Sequence, residues 1–190
     1  MSNNNSLVRS MHDLGLGAWF GGSLMGAVGV NGAANDVPEP ADRLRVAASG
    51  WGRWAPVNAA AIGAHLIGAV GMLVANRDRV RNQQGVGASS AVKTALTVAA
   101  LGATAYSGVL GARTAKDVGA PVKGGVEPGP ATPDATASAQ KQLRVVQWVL
   151  PLLTGALTVV SAVQGEQQKP GSQLGGLARS LEGRLSRVAA

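Results

Sequence analysis

Two histidines, His12 and His65, are the side chains in this sequence best suited to metal, haem or proton chemistry. The chain contains no cysteine, which excludes disulfides, thiolate metal sites and redox thiols. Its acidic residues lie near the ends of the long apolar segments or between them, so no carboxylate lies deep in such a segment. No Ser/His/Asp set and no glycine-rich phosphate loop after a strand is apparent. The sequence therefore predicts a protein that is not an enzyme and carries no cofactor.

Four apolar segments, each close to the length that crosses a bilayer, would position these histidines. They cover residues 14–34, 54–75, 91–112 and 145–163. A helix needs about 20 mostly apolar residues to cross the hydrocarbon core. The mean hydropathy of the chain is only just above zero, because alanine and glycine fill these segments, but membrane helices tolerate glycine. We therefore expect an all-α fold, an integral membrane four-helix bundle over residues 12–165, rather than a water-soluble bundle.

Polar segments flank and connect the four predicted spans. Residues 1–11 form a predicted polar tail, and residues 114–131, rich in Pro and Gly, form a predicted mobile loop. Residues 41–49 could form a short helix before the second span. Pro133 in Thr132-Pro133-Asp134 suits a first helical position, so the fourth helix is predicted to begin outside the bilayer. Residues 166–190 form a predicted cytoplasmic tail with a short basic amphipathic helix, suited to an anionic membrane surface or to a partner.

The lysines and arginines predict the orientation of the chain. Their totals on the two sides are nearly equal, so the predicted orientation depends on the short basic link between the second and third spans. It favours cytoplasmic N- and C-termini in the inner membrane. The predicted membrane-interface residues are Trp51, Trp54, Trp148, Arg77, Arg79 and Arg81. The net charge of +7 comes from loops and helix ends rather than from one basic stripe, so nucleic acid is not an expected partner.

The first span leaves two alternatives open. Arg9 followed by an apolar run and small residues also matches a secretory signal, although residues 14–30 exceed the usual apolar region of about 7–15 residues. His12 with Asp13 could bind a metal weakly, or could simply be a solvated helix start. Trp19 lies deeper than the other tryptophans, which predicts a packing role for it.

Each span carries a stripe of small or polar residues at seven-residue spacing, which returns to the same helix face after two turns. Lipid tails are as apolar as leucine, so close approach and polar contacts must drive helix association. We expect these stripes to point into the bundle, with a mid-depth polar layer of Ser23, His65, Thr104 and Thr154. The predicted packing residues are Gly15, Gly22, Ser23, Gly29, Asn58, His65, Gly68, Thr97, Thr104, Gln147, Thr154 and Ser161.

The depths of the two histidines differ in this scheme. His12 lies at the inner end of the first span and His65 near the middle of the second, about 15 Å apart along the membrane normal at the helical rise. That separation argues against an axial histidine pair for a haem within one chain. His65 is then either a hydrogen-bonded packing residue or a functional group inside the membrane.

The segment from His12 to Gly22, with Trp19 and Gly21 between them, resembles the opening helix of copper-resistance D-type membrane proteins. The resemblance covers about one helix of four and implies copper handling, but no Met-rich or His-rich metal relay accompanies it. The Ala/Gly/Val/Arg-rich composition also resembles small four-helix membrane proteins of high-GC actinobacteria. The leading hypothesis is a non-enzymatic structural or accessory subunit that packs internally, against a membrane-protein partner or against a second copy. The alternative is a protein that handles a metal or small solute through His12 or His65.

Overall fold

The computed structural model describes residues 3–75, 77 and 86–167. Four long helical segments build the molecule, so the predicted all-α class is confirmed. The first is α1 (Asn3–Met25), which continues through a π-helical turn (Gly26–Val30) into the short α2 (Asn31–Asn35). The others are α3 (Pro40–Ala75), α4 (Val86–Thr114) and α5 (Asp134–Gln167). The start of α5 agrees with the helix start predicted at Pro133.

Among the described residues, three helical stretches are long and apolar enough to cross a membrane. They are Pro40–Ala75, Ala88–Asp117 and Asp134–Gln164. The sequence predicted four such spans, and α1 is the one that does not meet this requirement for length and apolar character. Its first turns carry Asn, Ser and Arg, the rest is rich in glycine, and the π-helical turn interrupts it before its apolar end.

The helices extend well beyond the predicted spans. α1 begins at Asn3, inside the predicted polar tail, and α3 begins at Pro40 rather than near residue 54. Pro40 and Asp42 suit a first helical turn, and nothing between them and residue 54 ends the helix. With 36 residues α3 is about 54 Å long, well over the roughly 30 Å of a hydrocarbon core. Residues 41–49 thus belong to α3 itself.

Trp19 lies at the centre of the bundle. α1 packs most extensively against α3 and also against α5, while α4 packs mainly against α5. Trp19 of α1 is fully buried with Ala100 of α4 and Leu150 of α5, and Ile62 of α3 packs against this cluster. One large side chain therefore fills the space where all four long helices face one another, in agreement with the packing role predicted for it.

The segment predicted as a mobile loop contains regular elements. A short 3-10 helix (Ala115–Asp117) precedes β1 (Val122–Gly124), which pairs antiparallel with β2 (Glu127–Pro128). Val122 and Val126 are buried. The Arg43 guanidinium donates to the Lys123 carbonyl at 2.8 Å, and the Gln140 amide donates to the Gly124 carbonyl at 2.9 Å. These contacts give the segment its structure, and we call the hairpin, α2 and the adjoining first turns of α3 and α5 the capping region.

Some predictions fall outside the described residues. These are the amphipathic helix of the C-terminal tail and the interface residues Arg79 and Arg81.

Candidate functional site

Two glycines set the closest approach of α1 and α3. A Cβ on Gly15 would lie 2.4 Å from the Ala61 carbonyl oxygen and 2.6 Å from the His65 backbone nitrogen. A Cβ on Gly68 would lie 2.4 Å from the His12 backbone nitrogen. Only glycine permits backbones to approach so closely. The two helices therefore touch backbone to backbone beside both histidines.

This crossing brings His12 and His65 into contact. Their ring centroids are 4.4 Å apart and the ring planes are tilted by 42°. Each residue is only 1% exposed. His12 Nδ1 lies 2.8 Å from Asp13 Oδ1, and His65 Nδ1 lies 3.2 Å from the His12 carbonyl oxygen. Because the Asp13 side chain is largely exposed, it connects a buried imidazole pair to the surface of the bundle.

The partners of the two Nδ1 atoms define the protonation of both rings. Carboxylate and carbonyl oxygens only accept hydrogen bonds, so each Nδ1 must donate. In a neutral imidazole, a proton on Nδ1 leaves Nε2 with a free lone pair. Both Nε2 atoms are buried and have no hydrogen-bond partner within the described part of the chain. A buried polar atom without a partner costs about 1–3 kcal/mol, and each Nε2 lone pair is free to accept a hydrogen bond or to bind a metal ion.

The predicted separation of about 15 Å between the histidines at the helical rise is wrong. That prediction aligned the ends of two spans taken as residues 14–34 and 54–75. The structure instead seats Gly22 against Trp54 and Gly26 against Trp51, which shifts α1 along α3 by about three turns. The physical reason is that a glycine leaves room for the backbone or an indole ring of the facing helix. These close contacts, rather than the hydropathy of the segments, set the register of α1 on α3.

Trp19 links the histidine pair to α4. Its ring centroid lies 6.0 Å from that of His65, and its Nε1 donates to Thr104 Oγ1 at 3.2 Å. Thr104 in turn donates to the Ala100 carbonyl of its own helix. Two members of the predicted mid-depth layer, His65 and Thr104, are therefore connected, but through a tryptophan that the layer did not include.

The other two members of that layer are buried at different places. Ser23 is buried next to Gly22, which packs on Trp54. At the helical rise it lies about 16 Å from His12 along α1. Its hydroxyl donates to the carbonyl three residues earlier in its own helix. Thr154 is fully buried on α5 and likewise donates within its helix. Neither hydroxyl forms a hydrogen bond to His65 among the described residues.

The remaining predicted packing residues differ in what they contact. Thr97 and Ser161 are partly buried and donate to carbonyls four residues earlier in their own helices. The Asn58 side-chain oxygen is buried without a hydrogen-bond partner among the described residues. A Cβ on Gly29 would meet only the side chain of Met25, one turn away on the same helix. Gly15, Gly22 and Gly68 are thus the predicted glycines that face another helix.

The predicted packing residue Gln147 belongs to a polar network in and near the capping region, whose centre, Asn31, was not predicted from the sequence. The Asn31 amide donates to Gln147 Oε1 at 2.8 Å, and Trp51 Nε1 donates to Asn31 Oδ1 at 3.0 Å. Asn31 is buried at the end of the π-helical turn, and its backbone N–H bonds to the Gly26 carbonyl. Asn31 therefore joins α2, α3 and α5. An asparagine at the end of an apolar run is the signal that could have identified it.

The predicted interface residues divide into two kinds. Trp51 and Trp54 are half-buried because their rings lie over glycines of the first helix. Trp148 and Arg77 are exposed.

Within the described residues, no group of three or more histidines and carboxylates converges that could hold a metal ion. Comparison with models of protein families, with curated proteins and with solved structures found no match to this chain. The resemblance of the first helix to copper-resistance D-type proteins therefore gains no support from them.

Proposed function

We propose that this chain is an integral protein of the inner membrane whose four long helices cross the bilayer. The observation that carries this proposal is the large number of apolar side chains on the outside of the helices, around an interior that includes polar side chains. His65, Thr154 and Gln140 are buried, whereas Leu152 is 72% and Ile67 60% exposed. Water-soluble proteins rarely expose extended apolar surface of this kind, and membrane contact accounts for it.

The same distribution extends to α1. Its outward side carries the exposed residues Leu14 and Met25, with Val28 in the π-helical turn. Its inward side carries His12 and Trp19, both buried. Although α1 falls short of the apolar measure that the other three helices meet, its outward side is apolar and supports a fourth span.

The proposed orientation places both termini in the cytoplasm. The basic link that supports this orientation contains Arg77, Arg79 and Arg81, of which only Arg77 is described. The capping region then lies on the outer side of the membrane, with Trp148 exposed close to it.

Membrane integration and orientation can be tested with the same set of variants. The native chain has no cysteine, so single-cysteine variants carry no background. Ser6 and Gly119 are both exposed and lie at opposite ends of the bundle in the proposed orientation. We expect the protein to stay in membranes after carbonate extraction. A membrane-impermeant maleimide should label Ser6→Cys only after lysis and Gly119→Cys in intact cells. Extraction into the soluble fraction would contradict integration, and the reverse labelling would contradict the orientation.

We further propose that the protein acts as a non-enzymatic structural or accessory subunit. Support comes from α4, where a Cβ added to Gly108 or Gly111, three residues apart on one side of the helix, would have no neighbouring heavy atom within 4 Å. Small residues are enriched where membrane helices meet. An open glycine face on a peripheral helix therefore suits a helix of a partner or of a second copy.

A cross-linking experiment tests the accessory role. A photoreactive side chain at Gly108 should capture one defined chain, either a partner or a second copy. The matched position is Leu152, which is exposed on α5 but bulky, and a photoreactive side chain there should yield no protein adduct. Equal yields at both positions, or no adduct at Gly108 in correctly inserted protein, would contradict packing through this face.

A further inference from the structure

The histidine pair has the arrangement that metal-binding histidines use in other proteins. A metal-ligating imidazole usually donates its second ring N–H to a carboxylate or to a backbone carbonyl, which fixes the tautomer and aims the other nitrogen at the metal. Here Asp13 holds His12 Nδ1, and the His12 carbonyl oxygen holds His65 Nδ1. The two Nε2 atoms are thereby available as ligands, and both are buried without a hydrogen-bond partner among the described residues.

We propose that His12 and His65 together bind a divalent first-row transition-metal ion through their Nε2 atoms. Two neutral imidazole nitrogens suit copper, nickel, zinc and iron rather than magnesium or calcium. The backbone contacts at Gly15 and Gly68 hold the helices at the distance that brings the rings together. The charged groups nearest to the pair are Asp13, Arg9 and Lys93, and of these only Asp13 favours a bound cation.

The spacing of the rings is compatible with a bent arrangement of both imidazoles around one ion. With a metal–nitrogen bond of about 2.0 Å and about 1.2 Å from nitrogen to ring centre, centroids 4.4 Å apart subtend roughly 90° at a shared ion. That angle fits two neighbouring positions of a tetragonal site, the geometry that Cu²⁺ and Ni²⁺ prefer. Opposite ligation, as for a haem with two axial histidines, would require the rings to move apart.

His12 and His65 are the two ligands of the proposed site, and no third histidine or carboxylate converges with them as a ligand within the described residues. Water or another small ligand would complete the coordination sphere.

Copper titration followed by electron paramagnetic resonance tests the proposal directly. The full chain is purified in detergent without a polyhistidine tag. Since its only histidines are His12 and His65 and it has no cysteine, no other imidazole or thiol contributes. We expect one equivalent of Cu²⁺ with hyperfine coupling to two imidazole nitrogens. His12→Ala and His65→Ala should each show one coupled nitrogen and at least tenfold weaker binding.

A positioning variant and a control keep the test decisive if the histidine variants fail to fold. Asp13 is largely exposed, so Asp13→Asn should fold normally, keep two coupled nitrogens and bind about 10–100-fold more weakly. Asn58→Ala removes a different buried polar group from α3 and should leave the spectrum unchanged. Unchanged binding in Asp13→Asn, or the same copper spectrum in the variant lacking both histidines, overturns the proposal. Detergent-solubilised protein makes this result independent of the proposed membrane role.

Discussion

Replacing Gly15 or Gly68 by alanine places one methyl group at the crossing of α1 and α3. Each added Cβ would lie 2.4 Å from a backbone atom of the facing helix, whereas ordinary contacts begin near 3.4 Å. Backbone atoms cannot rotate away as a side chain can. The two helices must therefore separate by about 1 Å at this point, because nothing else can relieve the overlap.

The expected destabilisation follows from this displacement. Overpacking by a methyl group usually costs about 1–3 kcal/mol. We expect about 3 kcal/mol, because here the methyl group overlaps backbone atoms of the facing helix, which cannot move independently. The matched controls are Gly17→Ala on α1 and Gly63→Ala on α3, where a Cβ would meet no heavy atom within 4 Å. These controls should be neutral or more stable by up to about 1 kcal/mol, since alanine favours a helix over glycine.

Thermal unfolding in detergent, followed by tryptophan fluorescence, measures the difference. For a chain of this size about 3 kcal/mol corresponds to a fall in Tm of about 10 °C. If Gly15→Ala and Gly68→Ala unfold within about 2 °C of Gly17→Ala and Gly63→Ala, a difference of at most about 1 kcal/mol, the backbone contact is not present. The juxtaposition of His12 and His65 would then lose its physical basis.

Three further changes have defined outcomes. Trp19→Ala leaves a cavity at the buried centre of the bundle and should lower the free energy of chemical unfolding by about 3–5 kcal/mol. Trp148 is exposed, so Trp148→Ala should change stability little. Similar losses of stability in both variants would contradict the central position of Trp19. Asn31→Ala breaks two side-chain hydrogen bonds between helices and should cost about 1–3 kcal/mol, while Thr97→Ala loses only a bond within its own helix and should stay close to the native protein. Leu152→Asp should cost about 2.5–3.5 kcal/mol and reduce the inserted fraction, because this exposed side chain faces lipid in the proposed membrane arrangement. A nearly neutral effect would indicate that Leu152 faces water.

Much of the fold could be predicted because it depends on local composition. Long apolar runs predict long helices, Pro133 predicts the start of α5, and an aromatic residue deep in an apolar run predicts the packing role of Trp19. The lengths of the helices were predicted less well. Residues 40–53 are too polar to resemble a span, yet they continue α3 without a break, because helix formation does not require an apolar sequence.

The candidate site was predicted only in part. The seven-residue glycine and polar stripes identified Gly15, Gly68 and His65 as inward-facing, and the structure buries His65 beside both glycines. The stripes could not identify His12 as its neighbour, because spacing along one helix carries no information about its position along another. The network around Asn31 was missed for the same reason, since its partners come from two other helices.

The sequence by itself determined that the chain is helical, that its long segments are apolar on one side and small or polar on the other, and that its only imidazoles are His12 and His65. Only the tertiary structure decided that these two rings meet. The register of α1 on α3 depends on how glycines fit against facing backbone and indole rings, and such contacts join residues far apart in the chain, for example Gly26 with Trp51 (25 positions) and His12 with Gly68 (56 positions). That register converts two isolated histidines into one buried pair.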